Sequence, residues 1–103
     1  MSRESILQEV NAERDRQDGK WGVQNHPVRN EGDDEWYKKQ AWLWRIVCDS
    51  RAKQGCCTWF NILAEEFWEV FAESDPLRQR EELVQVAAVA VQMIEVIDRR
   101  LGK

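Results

Sequence analysis

Several features that mark common protein classes are scarce in this chain. Of its 103 residues, one is histidine and three are cysteine, with Cys56 and Cys57 adjacent. An odd number with a neighbouring pair is not the disulfide framework of a small secreted domain. A zinc site built from Cys48, Cys56, Cys57 and His26 would lack a C-x-x-C pair, and adjacent cysteines do not readily share one tetrahedral ion. Buried or half-buried free thiols are the expectation. No apolar run reaches membrane-spanning length, because residues 87–94 are interrupted by Gln92 and bracketed by charge. The first residues, Met1-Ser2-Arg3-Glu4-Ser5, contain no apolar signal region, so a cytoplasmic location is expected. A basic excess is absent too. The net charge of −4 gives no electrostatic footprint for nucleic acid, and such a partner is not expected. There are no internal repeats and no low-complexity tracts.

What is present describes a folded helical protein. The hydrophobic fraction is 43% and the charged fraction 33%, which argues against disorder. A length of 103 residues suits one domain, 1–103, with a thin core of its own. A homo-oligomer, dimer or tetramer, is therefore expected. The six tryptophans suit a core and an interface. Trp21 and Trp59 stand apart as candidates to stack on a nucleobase.

Local signals predict four helices. The first covers 2–17, with Ser2 or Ser5 as N-cap and a modest apolar face of Ile6, Leu7 and Val10; Asp18-Gly19 should end it. Residues 18–32, rich in Gly, Asn and Asp, read as a loop. The second helix covers 33–53. Asp33-Asp34-Glu35 suit its positive end and Arg51 and Lys53 its negative end. Trp36, Ala41, Trp42, Leu43, Trp44, Ile46 and Val47 should supply its buried side, and Gly55 stops it. Thr58 caps a third helix, 58–74, whose apolar face gathers Phe60, Leu63, Ala64, Phe67, Val70 and Phe71. Asp75-Pro76 starts a fourth, 76–101, with aspartate as cap and proline at the first helical position. From Val84 to Ile97 this helix is apolar almost all round, and such a helix must be covered on all sides. A partner subunit is implied.

The chemistry concentrates on the third and fourth helices. Glu65, Glu66 and Glu69 are spaced to share one helical face, as are Glu82 and Gln85. The link Ser74-Asp75-Pro76 is short, so the helices should be antiparallel neighbours. Glu69 and Glu82 each lie about two turns from that link, at matching heights. Like charges so placed destabilise a helix unless compensated, and a cation is one compensation. Oxygen-only donors select a hard divalent ion. A solvated acidic face with no function is the alternative.

Residues 62–99, ILAEEFWEVFAESDPLRQREELVQVAAVAVQMIEVIDR, resemble the MazG-like all-α nucleoside triphosphate pyrophosphatases. That family binds magnesium through EExxE on one helix and ExxD on the next. Here the first motif is Glu65, Glu66 and Glu69; the second is Glu82, with Gln85 in place of the aspartate. A weaker likeness covers Lys20-Trp21-Gly22-Val23-Gln24-Asn25-His26-Pro27, where family members carry a Trp–Gln–His loop. The resemblance implies an all-α four-helix MazG-like bundle and hydrolysis of a nucleoside triphosphate to the monophosphate and pyrophosphate. It further implies Mg2+, or Mn2+, held by Glu66, Glu69, Glu82 and the Gln85 carbonyl. Glu65 and Glu66 become the catalytic candidates, Glu65 as ligand or general base. Lys20, Trp21, Gln24, His26 and Trp59 become the substrate-binding candidates, with Lys38, Lys39, Arg45, Arg51 and Lys53 as further phosphate holders. A MazG-like helical module without catalysis, acting in nucleotide binding or assembly, is the competing expectation, and Gln85 is the residue that favours it.

Overall fold

The computed structural model describes residues 2–103, and these residues form helices and no strand. The helices are α1 (Arg3–Trp21), α2 (Asp34–Lys53), α3 (Trp59–Ala72) and α4 (Pro76–Arg100). None is long and apolar enough to cross a membrane. The chain divides into two compact units, residues 28–90 and residues 1–27 with 91–103.

In the unit formed by the two chain ends, Ser2 caps α1 by accepting a hydrogen bond from the Ser5 amide. The helix does not end at Asp18-Gly19, and Lys20 and Trp21 form its last turn rather than a loop. A helical glycine costs only about 1 kcal/mol, and Arg14 holds this stretch through Gln17 and Asp18. The stop is Gly22, at φ 69°, whose amide donates to the Asp18 carbonyl. Of the expected apolar face, Ile6 is buried, at 1% exposure, while Leu7 and Val10 are exposed. Arg3 pairs with Glu95 of α4 at 3.5 Å.

In residues 28–90, α2 packs against α3. The buried stripe of α2 is Tyr37, Ala41 and Cys48, while Trp36, Trp42, Leu43, Ile46 and Val47 are exposed. Of the expected side Ala41 is buried and Trp44 half-buried, and the rest is exposed because large apolar residues encircle α2 and leave its wheel without a unique stripe. Tyr37 is accommodated because its hydroxyl accepts the Asn30 amide and its ring packs against Trp36 and Phe71. Trp36 also meets Trp68 edge-on, and Trp44 meets Phe60, giving an aromatic seam between the helices. On α3 the fully buried apolar residue is Val70, whereas Phe60 and Phe67 are exposed.

Both ends of α3 are chemically closed. Thr58 and Asn61 form a reciprocal capping box, and Asn61 is buried within it. At the other end the helix stops at Ala72, short of the expected Ser74, because Glu73 is extended. The carbonyls left free there find side-chain donors. Gln79 Nε2 donates to Val70 O at 3.2 Å and to Glu73 O at 3.3 Å, and Arg29 Nη1 donates to Phe71 O at 2.8 Å. Arg29 is itself held by Asp34 and lies over the Tyr37 ring. Asp75 then caps α4 through the Leu77 amide, as its sequence with Pro76 predicts. No residue of α4 is buried; Leu77, Leu83, Val84 and Ile97 are exposed.

Arg29→Ala and Gln79→Ala should each cost about 1–3 kcal/mol, because the first strands one part-buried carbonyl at the end of α3 and the second strands two. The check is the urea midpoint at unchanged m-value. Lys38→Ala, which removes only an exposed pair with Glu35, is the control. Equal effects from Arg29→Ala and the control would contradict this account of the α3 terminus.

Candidate metal centre

Glu66 and Glu69 are one turn apart on α3, and the link Glu73-Ser74-Asp75 brings the first turns of α4 back beside them. The Gln79 bonds to Val70 and Glu73 fix that return. Glu82 follows Gln79 by three positions and therefore shares its helical side. As a result Glu66, Glu69 and Glu82 each place a carboxylate oxygen within 4.8 Å of the others. All three residues are half-buried.

The electrostatics of this cluster are unfavourable by themselves. Burial pushes the Glu66 carboxyl above its ordinary range, and Glu69, Glu82 and Glu65 push it further. Burial likewise raises Glu82, followed by Glu69, Glu73 and Glu81. One oxygen each of Glu66 and Glu82 is buried without a hydrogen-bond partner. Among the ion pairs of the described residues, one reaches the cluster: Arg45 of α2 lies 3.4 Å from Glu69. Arg45 is thereby distinguished from the other basic candidates. Nothing in the spacing of α2 marks it, since the pairing depends on how α2 and α3 are rotated.

The donor set fits a small hard cation. A magnesium–oxygen distance of about 2.1 Å sets a span of about 4.2 Å across an ion. Ligand oxygens within 4.8 Å of one another need only small side-chain rotations to close on it. The two orphaned oxygens are the groups a cation would satisfy. Gln85 is exposed on α4, one turn beyond Glu82.

Glu65 occupies a different position from its neighbour. It lies against Cys48 of α2, whose thiol is pushed up to about 12, first by the hydrogen bond to Glu65 and then by burial. Four of the substrate candidates, Lys20, Trp21, Gln24 and His26, belong to the other compact unit. Lys20, Trp21 and Gln24 line one groove of about 410 Å3 with Glu13, Arg16 and Gln17. The Lys20 ammonium sits 4.7 Å from the Trp21 ring centre. Arg16 and Gln17 of this groove were not anticipated; extending α1 to Trp21 puts them one turn from Lys20 and Trp21. His26 is exposed in the following loop and does not line the groove. Trp59 is half-buried at the first position of α3.

Comparison of the chain with protein families, curated proteins and solved structures gives no match.

The raised carboxyls make stability depend on pH. A carboxyl held above its unfolded value contributes stability that is complete below the unfolded value and lost as pH rises through the folded one. In a chelator, unfolding titrations of the wild type should therefore show this loss between acid and neutral pH. Glu66→Gln should reduce it and stabilise the protein at neutral pH. Equal pH slopes for both proteins would mean that the cluster is fully solvated.

Proposed function

We propose that this chain is a MazG-like nucleoside triphosphate pyrophosphohydrolase acting in the cytoplasm, dependent on magnesium or manganese. The observation that carries the reading is the convergence of Glu66, Glu69 and Glu82, with two of their oxygens buried and unpartnered. The sequence likeness of residues 62–99 supplies the reaction class. A bound divalent ion supplies positive charge for the phosphate oxygens and a position for the attacking water. Glu66, Glu69 and Glu82 would hold the ion, and Gln85 would offer a carbonyl oxygen without charge. In the role that the sequence likeness gives it, Glu65 would take the proton from water as the water oxygen attacks the α-phosphorus, and pyrophosphate would leave as the bond from that phosphorus to the oxygen bridging to the β-phosphorus breaks. Lys20, Trp21 and Gln24 are the nucleotide-binding candidates that the sequence likeness names, and they share a groove within their own unit.

Glu69→Gln should weaken magnesium binding at least about tenfold, the lower end of what loss of even an outer-shell partner costs. It should also abolish triphosphate hydrolysis. Gln85→Asp should do the reverse, tightening magnesium and leaving hydrolysis equal or faster. Calorimetric titration with and without a non-hydrolysable triphosphate, and a pyrophosphate-release screen over canonical and damaged nucleotides, read both effects. No turnover on any nucleotide, with metal affinity unmoved by Gln85→Asp, would favour the second reading: a binding or assembly module of the same scaffold that has lost catalysis. Gln85, neutral and exposed where the family pattern has aspartate, is the observation behind that alternative.

The same proposal includes a homodimer or homotetramer. Its support is the absence of any buried residue on α4, where Val84 is 57% exposed, together with the exposed Trp36 and Trp42 of α2. Light scattering at micromolar concentration should give a multiple of the 12.2 kDa chain mass, and a monomer mass would remove this part.

A further inference from the structure

We propose that Cys48 and Cys57 form a reversible dithiol–disulfide site, oxidised by hydrogen peroxide and restored by a small thiol. The end of α2 creates the pair. Gln54 closes the helix, and Gly55 takes φ 72°. The Gly55 amide donates to Ala52 O and the Cys56 amide to Arg51 O, the paired bonds of a Schellman turn. This reversal carries the chain back along the last turns of α2. Cys57 consequently arrives beside Cys48, nine positions earlier, with the two sulfurs 3.8 Å apart. Cys56 points elsewhere, with its sulfur 3.7 Å from the Gln54 side-chain oxygen. Closing from 3.8 Å to the bonded separation of about 2.05 Å needs side-chain rotation and a small shift of the loop.

The accessibilities order the steps. Cys56 is exposed but has no second thiol beside it; within the pair Cys57 is half-buried and Cys48 buried, so Cys57 is the member that peroxide meets first. The Cys57 sulfur attacks one peroxide oxygen, the O–O bond breaks, and a sulfenic acid and one water result. The Cys48 sulfur then attacks the sulfenic sulfur, and the oxygen leaves as a second water. Two thiols are oxidised, one peroxide is reduced, and both thiol hydrogens end in water. A small thiol reverses the bond by exchange. The disulfide ties the end of α2 to the start of α3.

The test is peptide mapping of the full chain after mild peroxide treatment, with alkylation of the remaining thiols. Its readout does not involve nucleotide or metal, so it is independent of the proposed enzyme activity. The expected product lacks two hydrogen atoms, keeps one alkylatable cysteine, and joins tryptic residues 46–51 to 54–78; a thiol reductant reverses it. Cys56→Ser should retain that cross-link and Cys57→Ser should abolish it. Persistence of the cross-link in Cys57→Ser would assign it to Cys56 and overturn the proposal. So would a Cys56–Cys57 bond, links between molecules, oxidation confined to Cys56, or three thiols still free.

Discussion

Like charges crowded into a half-buried space between α3 and α4 are the constraint on which this protein's organisation depends. Burial and mutual repulsion both oppose ionisation of Glu66 and Glu82. Arg45 offsets part of the charge, from a position that is itself about half exposed and therefore weakly coupled. The arrangement persists because the backbone around it is fixed by other means. The capping box sets the start of α3, Arg29 and Gln79 satisfy its end, and Asp75-Pro76 launches α4 at a set height. These bonds cost nothing in charge repulsion, so they can hold carboxylates together that would otherwise separate. A proton or a hard cation then satisfies what the protein leaves open.

Much of this was legible in the sequence because it depends on local rules. Ser2, Thr58 and Asp75-Pro76 act as caps through bonds to residues two or three positions away, and their positions predict helix starts within a residue. The height of Glu82 against Glu69 follows from a three-residue link and the rise of a helix. What was not legible depends on competition or rotation. Asp18-Gly19 has the composition of a stop, but Gly22 competes for that role and wins by adopting the positive φ that closes α1. The buried stripe of α2 depends on which of several apolar faces meets α3, and Tyr37 and Cys48 are poor guesses on hydrophobicity alone. The contacts of Arg45 with Glu69 and of Cys48 with Glu65 follow from that rotation, so they were equally hidden.

The rotation also explains why the three glutamates of the first motif have different surroundings. Successive residues on a helix are about 100° apart, so adjacent glutamates cannot face the same neighbour. Glu65 meets Cys48 of α2, while Glu66 joins Glu82 of α4. Glu69 follows Glu65 by about 40° and Glu66 by about −60° and so falls between them. Its contacts agree, since one reaches Arg45 of α2 and another Glu82 of α4. Glu69 is thus the one position of the motif that feels both neighbouring helices. A change at Glu65 acts on the α2 side, and a change at Glu66 acts on the α4 side. Loss of charge at Glu69 alters the balance on both, releasing Arg45 and relieving Glu66 and Glu82 at the same time.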